Sequence, residues 1–112
     1  MIDVFVSFPY THANPSITAL RVARAEKYVV SLLNKDLVPY STITAWEHML
    51  KRHTLSADYS FWKNHCRKMI NASLSVHVLM LEGWETSPGV QDEIAIAKSL
   101  DKPIDYIPQE DI

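Results

Sequence analysis

The sequence predicts a single α/β domain spanning residues 1–112, in which a parallel sheet of about four to five strands is flanked by helices. Short segments rich in β-branched and aromatic residues alternate with longer segments of helical period. This alternation favours parallel strands joined by right-handed crossovers. No internal repeat, low-complexity segment or linker divides the chain, and its length suffices for one hydrophobic core. The predicted strand order is 2-1-3-4.

The first half of the chain predicts two strands and a long helix. Residues Ile2 to Phe8 alternate in polarity and form the first predicted strand. Asn14-Pro15 supplies a cap and a first helical residue for a helix over about 16–35. A short strand follows over 37–40, and residues 41–56, which lack a clean period, predict a partly helical segment. The buried stripe of the long helix is expected to contain Val22, Ala25, Val29, Leu32 and Leu33.

The second half predicts two helices and two strands. A helix over about 57–71 precedes an apolar strand over 74–81. Another helix is expected over 88–100, and a short strand over 103–107. One face of the helix over 57–71 carries Trp62, Cys66, Met69 and Ile70, which predicts that this face packs in the core.

The predicted topology places two unusual loops side by side. Strands one and three are neighbours whose connections leave in opposite directions, and ligands of such sheets bind outside the carboxyl ends of the strands. The loops that follow these two strands are residues 7–14 and residues 82–89, and the second contains both glycines of the chain. We therefore expect the functional site between these loops.

Glu93 is the candidate reactive group of the helix that follows the second loop. Ser87 and Pro88 provide an N-cap and a first helical residue, and Glu93 lies about one turn further on. The positive end of the helix dipole is expected to keep this carboxylate ionised, which suits a nucleophile or a group that stabilises positive charge. Its neighbour Asp92 is expected to be exposed.

Composition excludes several functional classes. A net charge of −2, with no basic cluster beyond Lys51-Arg52, argues against binding a nucleic acid polymer. No apolar run is long enough to span a membrane, and the N-terminus lacks the basic region of a signal peptide. The lone Cys66 excludes a disulfide scaffold and fits a reducing compartment, so we expect a cytoplasmic protein. A small phosphorylated ligand stays compatible with the sequence.

No metal or cofactor is expected. The spacings of His48, His53, His65 and Cys66 match no closed zinc site, and neighbouring residues on a helix point in different directions. Cys66 is not favoured as a nucleophile, because it falls on a helical face predicted to be buried and has no identifiable base.

Several motifs together carry a family resemblance. They are Ser-Phe-Pro-Tyr-Thr-His at 7–12, Asp-Tyr-Ser-Phe-Trp at 58–62, and the segment 81–97 with the later Lys102-Pro-Ile. Through them the sequence resembles the nucleoside 2-deoxyribosyltransferase-like superfamily over nearly its whole length, and looks closest to a small branch of bacterial and phage proteins. The resemblance implies a flavodoxin-like, Rossmann-like three-layer sandwich.

The resemblance also implies a chemistry. A family glutamate attacks the anomeric carbon of a nucleoside or nucleoside 5′-monophosphate, the base leaves, and another base or water resolves the sugar–enzyme intermediate. The family's glutamate lies four residues after a glycine, as Glu93 does after Gly89. Relatives often complete each pocket from a neighbouring subunit, which implies a homo-oligomer, a dimer or larger. Its candidate contacts here are Trp46, Met49 and Leu50.

The resulting candidate site combines pattern and resemblance. Arg21 and Arg24 are phosphate contacts or solvated arginines, Trp84 stacks on a base or packs over the sheet edge, and His12 is an acid for the leaving base or an ordinary loop residue. Trp62 is interpreted as core packing. The candidate catalytic residues are Glu93 and Tyr10, and the candidate substrate-binding residues are Ser7, Pro9, Thr11, His12, Arg21, Trp84, Ser87 and Gly89.

Two departures from the family keep other functions open. Ser73 stands where most relatives carry an aspartate, and Pro9-Tyr10-Thr11 replaces a loop that is often glycine-rich. These changes leave the substrate undefined and keep a non-catalytic module that binds or senses a nucleotide as an alternative. The opening Ile2 to Phe8 is also similar to the first strand of TIR domains, some of which cleave NAD.

Overall fold

The computed structural model describes residues 1–112 and contains a four-stranded parallel sheet in the predicted order 2-1-3-4. Every strand pairing is parallel, and strands one and three are neighbours through five register pairs from Ile2–Ser73 to Ser7–Val78. The predicted fold class and switch point are therefore confirmed. The strands are β1 (Ile2–Ser7), β2 (Pro39–Tyr40), β3 (Ser73–Leu79) and β4 (Ile104–Ile107).

Four helices and two short 3-10 turns connect the strands. The segment 41–56, for which only partial helix is expected, contains a regular helix, because Ser41 caps its first turn by accepting from the Thr44 N–H. None of the helices is long and apolar enough to cross a membrane. The helices are α1 (Pro15–Leu33), α2 (Thr42–Arg52), α3 (Tyr59–Asn71) and α4 (Pro88–Ser99), and the 3-10 turns cover Trp84–Thr86 and Gln109–Asp111.

Local capping chemistry fixes where α1 and α4 begin. The Asn14 side chain accepts from the Ser16 N–H at 2.9 Å, and Pro15 is the first residue of α1. The Ser87 hydroxyl accepts from the Val90 N–H at 3.3 Å, and Pro88 opens α4. Both predicted helix starts are confirmed.

The sheet separates two hydrophobic layers. Alternate residues of β1 face opposite sides, so that Val4 and Val6 pack against α1 whereas Phe5 packs against α3 and α4. This gives the three-layer sandwich. The α1 layer includes Val22, Ala25, Tyr28, Leu32 and Leu79, and the opposite layer includes Cys66, Ile70, Val76, Val78, Val90, Ile94 and Ala97.

The predicted buried stripe of α1 is wrong at one position. Leu33 is 54% exposed, and Tyr28 is buried in its place. The core face follows Val22, Ala25, Tyr28 and Leu32 at spacings of three and four, and Leu33 lies one residue, or about 100°, beyond that face. The apolar character of Leu33 alone was therefore not enough to predict whether it is buried.

A polar chain runs across the α1 side of the sheet. The Tyr28 hydroxyl lies 2.6 Å from Nδ1 of His77, and Nε2 of His77 lies 3.2 Å from an Asp105 carboxylate oxygen. Burial lowers the pKa of His77, and Asp105 only partly opposes this effect. The imidazole is therefore neutral at pH 7, with its proton on Nε2 towards Asp105 and Nδ1 accepting from Tyr28.

This neutral histidine should make the protein lose stability in mild acid. Because its pKa is lower in the folded than in the unfolded chain, the unfolded chain binds the proton first and gains population as the pH falls through about 6.5. We expect the thermal midpoint of the parent to fall more between about pH 7.5 and 5.5 than that of His77→Gln. An equal fall in both proteins, measured by circular dichroism, would contradict the assignment.

Candidate active site

A cleft of about 940 Å³ opens where β1 and β3 end. Its walls include Thr11 and His12 from the loop after β1, and Glu82 and Gly83 from the loop after β3. The two loops thus meet at the switch point that the topology predicts. The first turns of α3 and α4 complete the inner wall of the cleft.

Glu93 lies on the inner wall of the cleft, in the second turn of α4. Its side chain is only 8% exposed, and its Oε1 accepts from the Ser7 hydroxyl at 2.6 Å. Ser7 is the last residue of β1 and is itself buried, so it contributes by holding Glu93 rather than by lining the cleft. The hydrogen bond joins two elements that are 86 residues apart in the sequence.

Burial is the largest influence on the charge of Glu93. Loss of solvation raises the pKa of Glu93 to about 7, although the hydrogen bond from Ser7 and the nearby Cys66 and Tyr59 side chains act in the opposite direction. The expectation that the helix terminus keeps this carboxylate ionised is therefore wrong. The dipole effect fades after the first turn of a helix, and Glu93 lies beyond that turn.

Two residues near Glu93 were not identified as site residues from the sequence. They are Tyr59, the first residue of α3, and Cys66, which lies about two turns further along the same helix. Both line the cleft, and both affect the pKa of Glu93. The only sequence signal for Tyr59 was its place in the Asp58–Trp62 motif. Neither residue could be assigned without knowing how α3 packs on α4.

Cys66 is a neutral thiol in this site. Burial raises its pKa to about 12, with a further contribution from Glu93, and its sulfur lies 3.3 Å from the Thr42 hydroxyl oxygen. A thiol of this kind is protonated at neutral pH and is a poor nucleophile. The structure therefore agrees with the sequence argument against Cys66 as a nucleophile.

Tyr10 lines the cleft, but the carboxylate that affects its hydroxyl is that of Glu47 and not that of Glu93. Burial, followed by the Glu47 carboxylate of α2, raises the pKa of Tyr10 to about 12. The ring packs against the α1-side core, and Tyr10 is not among the groups that shift the pKa of Glu93. Tyr59, unlike Tyr10, is therefore a phenol whose pKa Glu93 raises, and a catalytic role for Tyr10 stays a prediction.

Arg21 joins the two loops of the site. Its Nη1 donates to the carbonyl oxygen of Thr11 at 3.0 Å and to that of Tyr10 at 3.5 Å, and its Nη2 donates to the Glu82 carbonyl at 2.8 Å. Arg21 therefore holds the two loops together, and it also lines the cleft, where its expected role as a substrate contact stays a prediction. Arg24 also lines the cleft and forms no ion pair.

Other expected substrate contacts divide into those that line the cleft and those that do not. Thr11, His12, Ser87 and Gly89 line it, and Nδ1 of His12 accepts from the Asn14 N–H at 2.9 Å. Ser87 keeps its predicted capping role as well. These four positions agree with the expected location of the site.

Pro9 and Trp84 do not line the cleft, contrary to expectation. The side chain of Pro9 is fully buried beneath the loop. Trp84 packs against Tyr106 of the edge strand β4, with ring centroids 5.8 Å apart, because the 3-10 turn carries it over the sheet edge. Trp62 packs against the core as interpreted, but it is only half-buried and also forms part of the cleft wall.

Ser73, where the sequence departs from the superfamily that it resembles, does not line the cleft. It is the first residue of β3, at the end of the strand opposite to the cleft, and its hydroxyl donates to the Met69 carbonyl at 2.7 Å. Its side chain is completely buried. Its identity therefore carries no argument about substrate binding in the cleft.

Asp92 is less exposed than expected. Its side chain is 30% exposed, with one oxygen 3.6 Å from the Lys63 ammonium and the other buried without a hydrogen-bond partner.

Trp46, a candidate subunit contact, packs within the subunit, where its indole N–H donates to the Tyr40 hydroxyl at 2.9 Å. No group of three or more His, Cys, Asp or Glu side chains is arranged to hold a metal.

One known family corresponds to this chain. The family described as "Domain of unknown function (DUF1937)" matches residues 2–107, which is nearly the entire sheet-and-helix domain. No curated protein matches the sequence.

Replacing the buried carboxylate with an amide should stabilise the protein at alkaline pH. Glu93 binds its proton more tightly in the folded chain, so its ionisation opposes folding as the pH rises from about 4.5 through about 7. We expect Glu93→Gln to raise the free energy of unfolding relative to the parent by up to roughly 3 kcal/mol more at pH 8.5 than at pH 4.5. Urea unfolding at both pH values tests this, and a pH-independent difference would contradict it.

Replacing Gly83 with a larger residue should destabilise the protein while Arg21 is present. It has φ of +92°, and a Cβ there would lie 2.7 Å from Nη2 of Arg21. We expect Gly83→Ala to cost about 2–3 kcal/mol of unfolding free energy through backbone strain and displacement of the guanidinium. In the Arg21→Ala background the cost should fall to the strain alone, so equal costs in both backgrounds would show that Arg21 is not displaced.

Proposed function

We propose that this chain, which belongs to the DUF1937 family, cleaves the N-glycosidic bond of a nucleoside or nucleoside 5′-monophosphate with Glu93 as the nucleophile. The observation that carries the proposal is the buried Glu93 carboxylate, held by Ser7 on the inner wall of a large cleft. The Gly89–Glu93 spacing and the motif resemblance to nucleoside deoxyribosyltransferases point to the same chemistry.

A carboxylate in this environment suits glycosidic cleavage. The transition state resembles an oxocarbenium ion, which a nearby carboxylate stabilises electrostatically and can capture as a covalent intermediate. Both effects are stronger where water is excluded, as it is around the largely buried Glu93. Its raised pKa also makes the ionised form a more basic nucleophile.

Cationic and aromatic groups in the cleft support a nucleotide as the ligand. Arg24 has no carboxylate partner, and the N-terminus of α4 at Ser87 and Gly89 favours an anion near Glu93. Trp62 offers an aromatic wall for a base. His12, whose Nδ1 is occupied by a backbone N–H, retains Nε2 as a candidate proton donor to the leaving base.

A dinucleotide such as NAD is the second candidate substrate. The cleft volume of about 940 Å³ lies near the upper end of the range for small-molecule pockets, about 300–1,000 Å³, and leaves room beyond a single nucleoside. This size, together with the likeness of the first strand to TIR domains, favours including NAD among the substrates. The base would again leave from the sugar that Glu93 attacks.

The proposal extends to assembly and location. Homo-oligomerisation rests on the resemblance to relatives that share pockets between subunits, and exposed apolar residues such as Val30 and Val38 provide surface for it. A cytoplasmic site of action rests on the single free thiol, Cys66.

Released base should appear when the protein is incubated with the right substrate. The panel contains deoxy- and ribonucleosides, their 5′-monophosphates and NAD, with chromatography as the measurement. We expect Glu93→Gln to reduce the rate at least about 1,000-fold, because it removes the nucleophile and its charge. Glu85→Gln, which changes an exposed glutamate outside the cleft, should match the parent.

The pH dependence adds a second criterion to the same experiment. The rate should fall about tenfold per unit below pH 7, because protonation neutralises Glu93. If a nucleotide binds and is recovered unchanged at every pH, this result would reject the enzyme and favour a module that binds or senses the nucleotide. Base release that persists in Glu93→Gln would assign the chemistry to another residue.

A further inference from the structure

The Tyr59 hydroxyl is buried and has no hydrogen-bond partner. One other buried side-chain oxygen shares this condition, Oδ2 of Asp92. Leaving such groups unpaired costs stability, and native proteins rarely do so without a reason. Asp92 and Glu93 are adjacent on α4, and the phenol is close enough to both carboxylates for each to raise its pKa.

The packing of α3 on α4 fixes the Tyr59 ring in place. A Cβ at Gly89 would lie 3.2 Å from Cδ1 of Tyr59, so the ring rests directly on the glycine at the start of α4. The phenol can therefore adjust mainly by rotating its O–H bond and by small shifts of the ring.

The groups around Glu93 come from every element that packs against it. They are Ser7 of β1, Tyr40 of β2, Tyr59 and Cys66 of α3, and Asp92 of α4. Lys63 reaches this set through its ion pair with Asp92. Burial, then Glu93, keeps the Tyr59 pKa far above its usual range, so the phenol retains its proton and can only donate it in a hydrogen bond to a carboxylate.

We infer that Tyr59 is a positioning residue whose hydroxyl alternates between the two carboxylates, donating to Glu93 when Glu93 is ionised and to Asp92 when Glu93 is neutral. In the first state the phenol and Ser7 together compensate the buried negative charge. In the second state Glu93 no longer needs that donor, and the unpaired oxygen of Asp92 accepts it. The charge of the buried carboxylate is thereby coupled to the Asp92–Lys63 pair at the surface.

This inference deepens the proposed function, in which a Glu93 oxygen bonds to the anomeric carbon of the sugar while the C–N bond breaks and the base leaves with the electron pair. Glu93 thereby loses its charge in the ester. The Tyr59 hydroxyl would then donate its hydrogen bond to Asp92. It would donate to Glu93 again when water hydrolyses the ester. The residue resets the nucleophile without exchanging its own proton. A direct titration of Glu93 tests the alternation whether or not a substrate is found.

The first measurement is the pKa of Glu93 by side-chain carboxyl ¹³C NMR, with the signal identified by its loss in Glu93→Gln. We expect Tyr59→Phe, which keeps the ring on Gly89, to raise that pKa by about one unit. Tyr106→Phe, at an exposed edge-strand position, should leave it unchanged. An unchanged Glu93 pKa in Tyr59→Phe would overturn the inference.

The second measurement separates alternation from a fixed hydrogen bond. Asp92→Ala removes a like charge and both acceptor oxygens, so it should lower the Glu93 pKa more in the parent than in the Tyr59→Phe background. Equal shifts in the two backgrounds would overturn the alternation. If Tyr59→Phe folds poorly, Asp92→Asn is the control in the parent, because it removes the same charge but keeps one acceptor oxygen. A shift in Asp92→Asn as large as that in Asp92→Ala would also overturn the alternation.

The pH profile of base release distinguishes failure of this inference from failure of the proposed function. If both hold, the acid limb of kcat/KM shifts upward in Tyr59→Phe by the amount that NMR gives. An NMR shift without activity in any protein supports the inference and rejects the enzyme. Activity with an unshifted Glu93 titration supports the enzyme and rejects the role of Tyr59.

Discussion

The cost of burying one carboxylate organises the architecture of this site. Glu93 is removed from water on the inner wall of the cleft, and the groups that meet it come from both ends of the chain. Ser7 reaches it from the first strand, whereas Tyr59 and Cys66 reach it from a helix that starts fifty residues later. The parallel order of the sheet is what brings these elements together, because it places the carboxyl ends of β1 and β3 side by side.

Much of the fold follows from local sequence signals. Asn14-Pro15 and Ser87-Pro88 set the starts of α1 and α4 because capping depends only on residues within one turn. The alternation of strands and helices was enough to predict the sheet order. Leu33 was wrongly predicted to be buried, because neighbouring residues of a helix point about 100° apart and Leu33 lies just beyond the core face of α1.

The site was predictable in location but less so in its individual contacts. Glu93 and the two loops could be identified, because a strand order and a helix start are enough to place them. The place of Tyr59 near Glu93 depends on how α3 docks on α4, which no local pattern records. The charge of Glu93 was misjudged for a similar reason, since the helix dipole is visible in the sequence whereas burial arises only from tertiary packing.

The way Arg21 is bound has a consequence for the approach of ligands. Its guanidinium is held by neutral backbone carbonyls and by no carboxylate, so its full positive charge remains uncompensated at the mouth of the cleft. The cleft walls also carry Asp58, Glu82 and Glu93, so groups of both signs line this opening. Interactions between exposed charges weaken as ionic strength rises, so a contact of Arg21 with an anion at the cleft mouth would depend on salt, whereas its bonds to the neutral carbonyls of the two loops would depend on salt far less.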